Sequence, residues 1–381
     1  MRVSTITPVY NNELYIEECL ISLLSQTYNN IEIIVIDDGS TDKSWEIIDR
    51  FNDSRLIKLR NTTNRGISEA YNKALTIATG DVLMFLDADD IAAPQRAEKT
   101  VEAFAQDPSV GLVYSDMDII DSNTKPFDLK LKLPNEINKN NYSMYLWRRG
   151  LFTGSGMSIR KLASLSFNSN VICCDYDISL FFAYNNWNYY YINECLTHYR
   201  IHNQNTSNQS DRMKSDVLAV QSQYSNDQLV NFWLEKGLTL SEINTTIGIN
   251  YYYFHNDYDK ALLHLNSALS ETMNYEALFY KSIILFIGEK YAEAYDLLKE
   301  AIRIHPTCYA ILNNLAVIEI WLNSNIEKAL SYLNLAKQYQ PYYMLISKNI
   351  EIVKKQEFAS LKTIHYISDD DAVYRTYCRL I

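Results

Sequence analysis

The chain is poor in the features that staple a small fold or carry it through a membrane. Its 381 residues contain six cysteines, at positions 19, 173, 174, 195, 308 and 378, and no C-x-x-C pair. Neither a zinc knuckle nor a dense disulfide framework is expected, and reduced thiols in a cytosol fit the pattern. The longest apolar run, near Ile283–Ile287, falls far short of the roughly 20 residues that cross a bilayer. Met1-Arg2-Val3-Ser4-Thr5-Ile6 runs directly into a β-like stretch, without the charged and apolar regions of a signal peptide. A cytoplasmic protein is the expectation, with the inner face of the membrane as a peripheral alternative. Positive charge is also short: 35 Lys and Arg against 46 Asp and Glu leave a formal net charge of −11. That balance argues against binding nucleic acid, whose partners show a basic face that replaces condensed counterions.

What is present reads as globular, with 47% hydrophobic and 21% charged residues in a length that suggests two domains. The first half alternates short β-rich runs with helical periods, the pattern of a mostly parallel sheet covered by helices. Strands are expected near 2–6, 31–36, 56–59, 82–86 and 111–114. Between the first two, Leu14, Glu18, Ile21 and Leu24 recur at helical spacing, and Leu20 and Leu23 widen the stripe. Ile31-Glu32-Ile33-Ile34-Val35-Ile36 is nearly continuously apolar, as a parallel strand buried on both faces should be.

Ligands of open α/β sheets bind outside the C-terminal ends of the strands. Three polar clusters occupy such ends here: Thr7-Pro8-Val9-Tyr10-Asn11, Asp37-Asp38-Gly39-Ser40 and Asp87-Ala88-Asp89-Asp90. A strand-end pair of carboxylates suits Mg²⁺ or Mn²⁺, which needs one or two protein carboxylates when phosphate oxygens and water complete the shell. The competing reading of the third cluster is an acidic turn before the helix near Pro94, with Asp90 as its cap.

Beyond about residue 240 small residues recur at fixed intervals. Ala261 and Ala268 are repeated as Ala294 and Ala301, then as Ala329 and Ala336, at spacings of 33 and 35. Pro306 and Pro341 each follow the second alanine by five residues, and Met273 stands at that place in the first unit. This resembles the tetratricopeptide repeat, in which paired helices pack through small residues. The organisation expected is a catalytic α/β domain over 1–205, a linker and connecting helix over 206–240, and an all-α tetratricopeptide-like domain over 241–381.

Residues 1–205 closely resemble family 2 glycosyltransferases of the GT-A fold. The resemblance rests on Thr7-Pro8-Val9-Tyr10-Asn11 with Glu13, Val35-Ile36-Asp37-Asp38-Gly39-Ser40-Thr41-Asp42, Asn64-Arg65-Gly66 leading to Asn72, and Leu86-Asp87-Ala88-Asp89-Asp90. It implies that Pro8, Tyr10, Glu13, Asp37 and Asp38 hold the nucleobase and ribose of a donor, with the two aspartates equal candidates for the base. Asp87 and Ala88 would lie against the donor, Asp89 would bind Mn²⁺ or Mg²⁺, and Asp87 would reach ribose or metal. Arg65 and Gly66 precede a helix whose N-terminus suits donor phosphate; the competing reading is a surface turn.

An inverting transfer needs a carboxylate base for the acceptor proton. The resemblance points to Asp175, in a segment where the family has a Glu-Asp pair and this chain has Cys174-Asp175; Asp177 competes for the role. Tyr199-Arg200-Ile201-His202-Asn203 matches the segment that closes over the donor, so Arg200 is expected on pyrophosphate and His202 on the metal. Gly154-Ser155-Gly156-Met157 is the expected acceptor floor. The tyrosine triplets at 189–191 and 251–253 are read as packing. The function implied is inverting transfer of a hexose or N-acetylhexosamine from a UDP-sugar to a saccharide or glycolipid in surface polysaccharide synthesis. Two alternatives stand beside it: a peptide or protein acceptor presented by the repeats, and an interaction scaffold that keeps the fold as a nucleotide-binding module. Partner binding or self-association through the repeats is a further expectation.

Overall fold

The structure is a computed structural model that describes residues 1–133, 137–148, 153–206, 210–341 and 343–365. Cys378, part of the expected linker at 207–209, and the end of the expected repeat domain beyond 365 lie outside them. The chain divides into two compact units, Met1–Ser225 and Asn226–Ile381.

In the first unit, β1 (Val3–Val9), β2 (Ile31–Asp37), β3 (Leu56–Arg60) and β4 (Val82–Phe85) lie parallel in the order β3-β2-β1-β4. These are four of the five strands expected. All seven residues of β2 are buried, which is why its apolar run shows no alternation. Helices α1 (Ile16–Leu24), α2 (Ser44–Arg50) and α3 (Ile67–Ile77) make the crossovers. The buried face of α1 is Ile16, Cys19, Leu20 and Leu23, whereas Leu14 is 76% and Ile21 52% exposed. The apolar stripe is therefore rotated from the one expected: Leu14 falls before the helix begins, so it cannot set the helical phase. Burial of Leu20 and Leu23 contributes about 1.5–3 kcal/mol each.

The rest of the sheet corrects the expectation of a mostly parallel one. β5 (Ile91–Ala92), α4 (Arg96–Gln106), β6 (Val110–Ile120), β7 (Pro126–Leu131), α5 (Tyr142–Arg148), β8 (Met157–Arg160), α6 (Cys174–Tyr184), β9 (Asn188–Arg200) and α7 (Ser210–Gln221) follow. The sheet is mixed, in the order β3-β2-β1-β4-β8-β6-β9-β5 with β7 beside β6. β6 and β7 are joined by the short turn Asp121–Lys125, closed by the Lys125 carbonyl and the Asp121 N–H, which permits only antiparallel pairing. β8 runs antiparallel to both β4 and β6, while β9 runs parallel to β6. The start of β8 and the end of β9 thus arrive at the edge where β1, β2 and β4 end.

α7 belongs to this unit although the sequence assigns it to a connecting stretch. The Gln221 amide at its end donates to the Trp147 carbonyl and the Tyr176 hydroxyl, both at 2.9 Å.

The second unit is helical: α8 (Asn226–Glu235), α9 (Leu240–Asn250), a π-helical turn Tyr251–His255, α10 (Tyr258–Glu271), α11 (Tyr275–Ile287), α12 (Tyr291–Ile304), α13 (Tyr309–Asn323), α14 (Ile326–Tyr339) and α15 (Met344–Lys355). From α9 onward each helix packs on its neighbour in chain order. The recurring alanines lie in pairs on α10, α12 and α14, each pair with a leucine (Leu265, Leu298, Leu333) between its members, and all nine side chains are fully buried. Spacings of four and three residues put each trio on one helix face. Pro306 and Pro341 fall just past the ends of α12 and α14, where an N–H is not needed.

Candidate active site

The loops after β1 and β2 are sewn together. Asn11, at φ 51, accepts the Thr41 N–H at 2.8 Å and donates its own N–H to Ser40 Oγ at 3.0 Å. The Glu13 N–H donates to Asp42 at 3.0 Å, and the Glu13 carboxylate accepts the Lys43 N–H at 2.9 Å. Gly39 sits at φ 75 with the Thr63 carbonyl carbon 2.5 Å from where a Cβ would stand, so only glycine fits. Tyr10 is left 45% exposed at the tip of β1, beyond Pro8.

Asp37 and Asp38 are both buried and both engaged. Asp37 pairs with Arg60 Nε at 3.0 Å and accepts the Ser40 N–H at 3.2 Å. Asp38 accepts from the Asn61 amide at 2.7 Å and from the N–H groups of Arg65 and Gly66 at 3.0 and 2.8 Å. Gly66, at φ 92, opens α3, whose Ser68 reaches the Val171 carbonyl just before α6. The expected base-binding and phosphate-binding segments are therefore continuous with the segment that carries Asp175.

Asp87, Asp89 and Asp175 converge. The Asp87 carboxylate receives the Tyr71 hydroxyl, and its main-chain N–H bonds Ser155 Oγ at 2.9 Å. Gly154 separates the two acids: its Cβ position lies 3.8 Å from the Asp87 carboxylate oxygens, and its N–H donates to Asp175. The expected acceptor floor thus lies between the expected base and the D-x-D turn. Burial, then the charges of Asp89 and Asp175, push the Asp87 carboxyl up to about 7. Burial pushes Asp175 up to about 6 against the pull of neighbouring N–H groups. Cys174, at the position of the family glutamate, is buried, and its thiol is pushed well above its ordinary value by burial and by Asp175 and Asp87. Asp177, on the same first turn of α6, is shifted upward by burial and is not among the charges that raise Asp87.

Two residues, Arg200 expected on the donor and His202 expected on the metal, hold the D-x-D turn in the folded chain. Arg200 is 1% exposed and makes four hydrogen bonds: to the Asp89 carbonyl at 2.7 Å, the Asp121 carbonyl at 3.2 Å, Thr124 Oγ1 at 2.9 Å and Glu18 Oε2 at 2.6 Å. Its guanidinium also covers the Tyr15 ring at 4.7 Å, and its own N–H donates to Asp90 at 2.7 Å. His202 Nε2 lies 2.8 Å from Asp89 Oδ2, and His202 Nδ1 accepts the Gln204 N–H at 3.2 Å. That network assigns the neutral ring's proton to Nε2, directed at Asp89. As folded, both residues orient Asp89; His202 offers a lone pair to a metal only after losing that proton. Among the described residues no three His, Cys, Asp or Glu side chains form a ready-made cage. A hard divalent ion bound through one or two carboxylates and a substrate diphosphate needs no such cage, so Asp89 with Asp87 is a donor set that fits one.

Sequence reasoning missed the supports of this turn: Glu18, Tyr15, Tyr71, Ser155 and Arg96. Arg96 is 1% exposed, donates to the carbonyls of Phe85 and Met157, and is drawn down to about 10 by burial. A lone arginine after Asp90 gives no sign of such burial.

Residues 4–164 match the family described as Glycosyl transferase family 2. An uncharacterised glycosyltransferase of Methanocaldococcus jannaschii is 32% identical over 247 residues, 61% of this chain and 80% of that protein. The chain belongs to glycosyl transferase family 2. A further relative, the Escherichia coli UDP-Glc:alpha-D-GlcNAc-diphosphoundecaprenol beta-1,3-glucosyltransferase WfaP, is 49% identical over 88 residues, 23% of this chain and 35% of WfaP. The chain spans about two fifths of the length of the first curated relatives it matches. Among solved structures, residues 1–349 of S. aureus TarS in complex with UDP-GlcNAc align with a TM-score of 0.52 at 15% identity, over 90% of this chain and 93% of that one, which shows a shared fold. The family is one of sugar-nucleotide glycosyltransferases of glycan synthesis, and the first unit has its GT-A-like mixed sheet. No helix among the described residues is long and apolar enough to cross a membrane.

Proposed function

We propose that this family member transfers a hexose or N-acetylhexosamine from a UDP-sugar to an acceptor hydroxyl of a saccharide or glycolipid in surface polysaccharide synthesis, with inversion at the anomeric carbon. The observation that carries this reading is the half-buried Asp175 carboxyl, raised to about 6, which accepts the Gly154 N–H where Gly154 lies beside Asp87. A base with a pKa near the working pH accepts a proton efficiently while remaining mostly ionised. The acceptor hydroxyl gives its proton to Asp175 as its oxygen bonds the anomeric carbon. On the opposite face the bond from that carbon to the diphosphate oxygen breaks, and its electron pair leaves with UDP.

The remaining residues bind and orient. Tyr10 offers an exposed ring to the base, with Pro8, Glu13, Asp37 and Asp38 shaping the floor beneath base and ribose. Arg65 and Gly66 face the diphosphate from the start of α3. Mn²⁺ or Mg²⁺, when bound, supplies positive charge to the departing diphosphate; Asp89 would hold it, and Asp87 would share it or take the ribose. Arg200 and His202 fix Asp89. UDP-glucose in the name of the E. coli relative supports the choice of base. A UDP-sugar donor suits a cytoplasmic reaction, and a lipid-linked acceptor would bring it to the inner face of a membrane. The second unit is read as tetratricopeptide-like repeats, supported by the buried alanine pairs at 33- and 35-residue spacing.

The test is a screen of UDP-glucose, UDP-galactose and UDP-N-acetylglucosamine with Mn²⁺, following UDP release and the anomeric configuration of the product. Asp175→Asn should lower transfer by about 10³-fold while UDP still binds by calorimetry. Full activity in that variant, or no turnover of any donor by the wild type, would overturn the reading.

A further inference from the structure

Gly154-Ser155-Gly156 is a single 3-10 turn that leads into β8, and the register of the sheet sets its middle residue against the D-x-D turn. β8 runs antiparallel to β4 in the pairs Val82 with Arg160, Leu83 with Ile159 and Met84 with Ser158. Continued past its last pair, that register brings Ser155 opposite Asp87. The main chain of the turn closes on itself, with the Gly156 N–H on the Thr153 carbonyl at 3.1 Å and the Met157 N–H on the Gly154 carbonyl. The Ser155 side chain takes over the cross-strand bond: its Oγ accepts the Asp87 N–H at 2.9 Å. A hydroxyl also has one proton to give, and the Asp87 and Asp90 carboxylates share it.

Ser155 is fully buried, so its hydroxyl is closed to an acceptor even though its neighbours form the expected acceptor floor. The turn is held on two further sides. The Ser155 carbonyl accepts from Thr197 Oγ1 of β9 at 2.9 Å, and a Cβ on Gly156 would stand 2.6 Å from the Tyr114 ring of β6. The preceding N–H, that of Gly154, donates to Asp175. Adjacent residues of one wedged turn thus hold the expected base on α6 and the acids at the end of β4.

We propose that Ser155 is a positioning residue: it is the spacer that fixes Asp175 relative to the Asp87–Asp89 turn and so lines the acceptor oxygen up with the departing diphosphate. This role rests on the transferase reading. An in-line displacement needs its reacting atoms about 3–3.5 Å apart and aligned, and a misplacement of about 1 Å costs about 10²-fold in rate. Asp175 and Asp87 belong to different elements, so their separation is only as well fixed as the turn between them is stiff.

The test is Ser155→Ala in the full chain, which removes the hydroxyl and adds no atom. In UDP release from the donor that the wild type turns over, at saturating Mn²⁺, it should lower kcat about 10²-fold and leave the donor KM within about threefold. In an Asp175→Asn background the same change should cost less than about threefold, because residues that act as a unit are not additive. The Mn²⁺ concentration that half-saturates UDP binding, read by calorimetry, should rise about tenfold. Thr197→Val releases the Ser155 carbonyl while keeping the side-chain shape, and should give the same pattern with a loss in kcat of about tenfold. That second variant decides the matter if Ser155→Ala does not fold. A folded Ser155→Ala with kcat within about threefold of the wild type, or an equal loss with and without Asp175, would overturn the proposal. A wild type that turns over no donor would sink the transferase reading instead, and the tie between Ser155 and the metal turn would still stand or fall on the Mn²⁺ dependence of UDP binding.

Discussion

Glu32, at the start of β2, is 3% exposed and meets a donor at every turn. Its carboxylate accepts from Ser4 Oγ at 2.5 Å, the Thr79 N–H at 2.6 Å, Thr79 Oγ1 at 2.8 Å and Arg2 at 2.8 Å. Burial pushes this group up, but those donors outweigh it and leave the carboxyl below its usual value. At the other end of the same strands, burial and like charge together raise Asp87 and Asp90, and burial raises Asp175. A carboxylate that serves the fold is satisfied by the protein; a group of carboxylates left crowded is satisfied by something the protein binds. The contrast sets Glu32 apart from Asp87, Asp90 and Asp175 without any knowledge of the reaction, while Asp37 and Asp38, which the protein itself satisfies, fall outside it.

The sharpest way to break that contrast is to swap losses between the two edges. Asp89→Ala should weaken Mn²⁺-dependent UDP binding on the order of 10²-fold, read by calorimetry with and without the ion. The melting temperature should stay unchanged or rise, because a repelling charge has gone. Glu32→Gln should do the reverse, costing about 2 kcal/mol in urea unfolding with UDP affinity unchanged, since charge-assisted hydrogen bonds of this kind contribute about 1.5–3 kcal/mol. A stability loss in Asp89→Ala as large as that in Glu32→Gln would dissolve the distinction.

The parallel half of the sheet and its acidic edge were legible because the nearly continuous apolar run of β2 ends abruptly in Asp37-Asp38-Gly39-Ser40. The mixed half was legible only at 111–114, inside β6. β9 mixes Tyr189, Tyr190 and Tyr191 with polar residues and shifts register against β6, so neither a period of two nor a continuous apolar run marks it. Arg200 illustrates the limit for the site: a positive charge beside a predicted diphosphate reads as a phosphate ligand, but its partner Glu18 is 182 residues away and becomes visible only when α1 and β9 meet.

The two edges should also part company in acid. Asp175 has its folded value above the unfolded one, so the folded state holds that proton more tightly, and stability gains from this group as pH falls from 7 toward the ordinary carboxylate range. Activity should nevertheless fall about tenfold per pH unit below about 6, since the base is then protonated. Glu32 has its folded value below the unfolded one of roughly 4.3, so its contribution is intact above that pH and is lost as pH falls below it. Between about pH 6 and 4.5 the rate should drop while the melting temperature holds. Parallel decline of both would mean that the acidic edge also carries the fold.

The smallest effect tests what satisfies Glu32. Arg2 is its ion-pair partner at 2.8 Å, but the guanidinium side is 47% exposed, and an ion pair open to water contributes about 0–1 kcal/mol. Ser4 donates from a fully buried position, where no water replaces a lost bond, and the exposed Thr79 adds two further hydrogen bonds. Arg2→Ala should therefore cost about 0.5 kcal/mol in urea unfolding, a fraction of the loss in Glu32→Gln, and the cost should shrink further in high salt. The Arg2 main-chain N–H keeps its 2.8 Å bond to Asp81 in that variant, so the start of β1 stays anchored and the side chain alone is measured. A loss as large as that of Glu32→Gln would mean that charge, rather than hydrogen bonding, quiets this edge, and the acidic edge would then differ from it only in lacking an arginine.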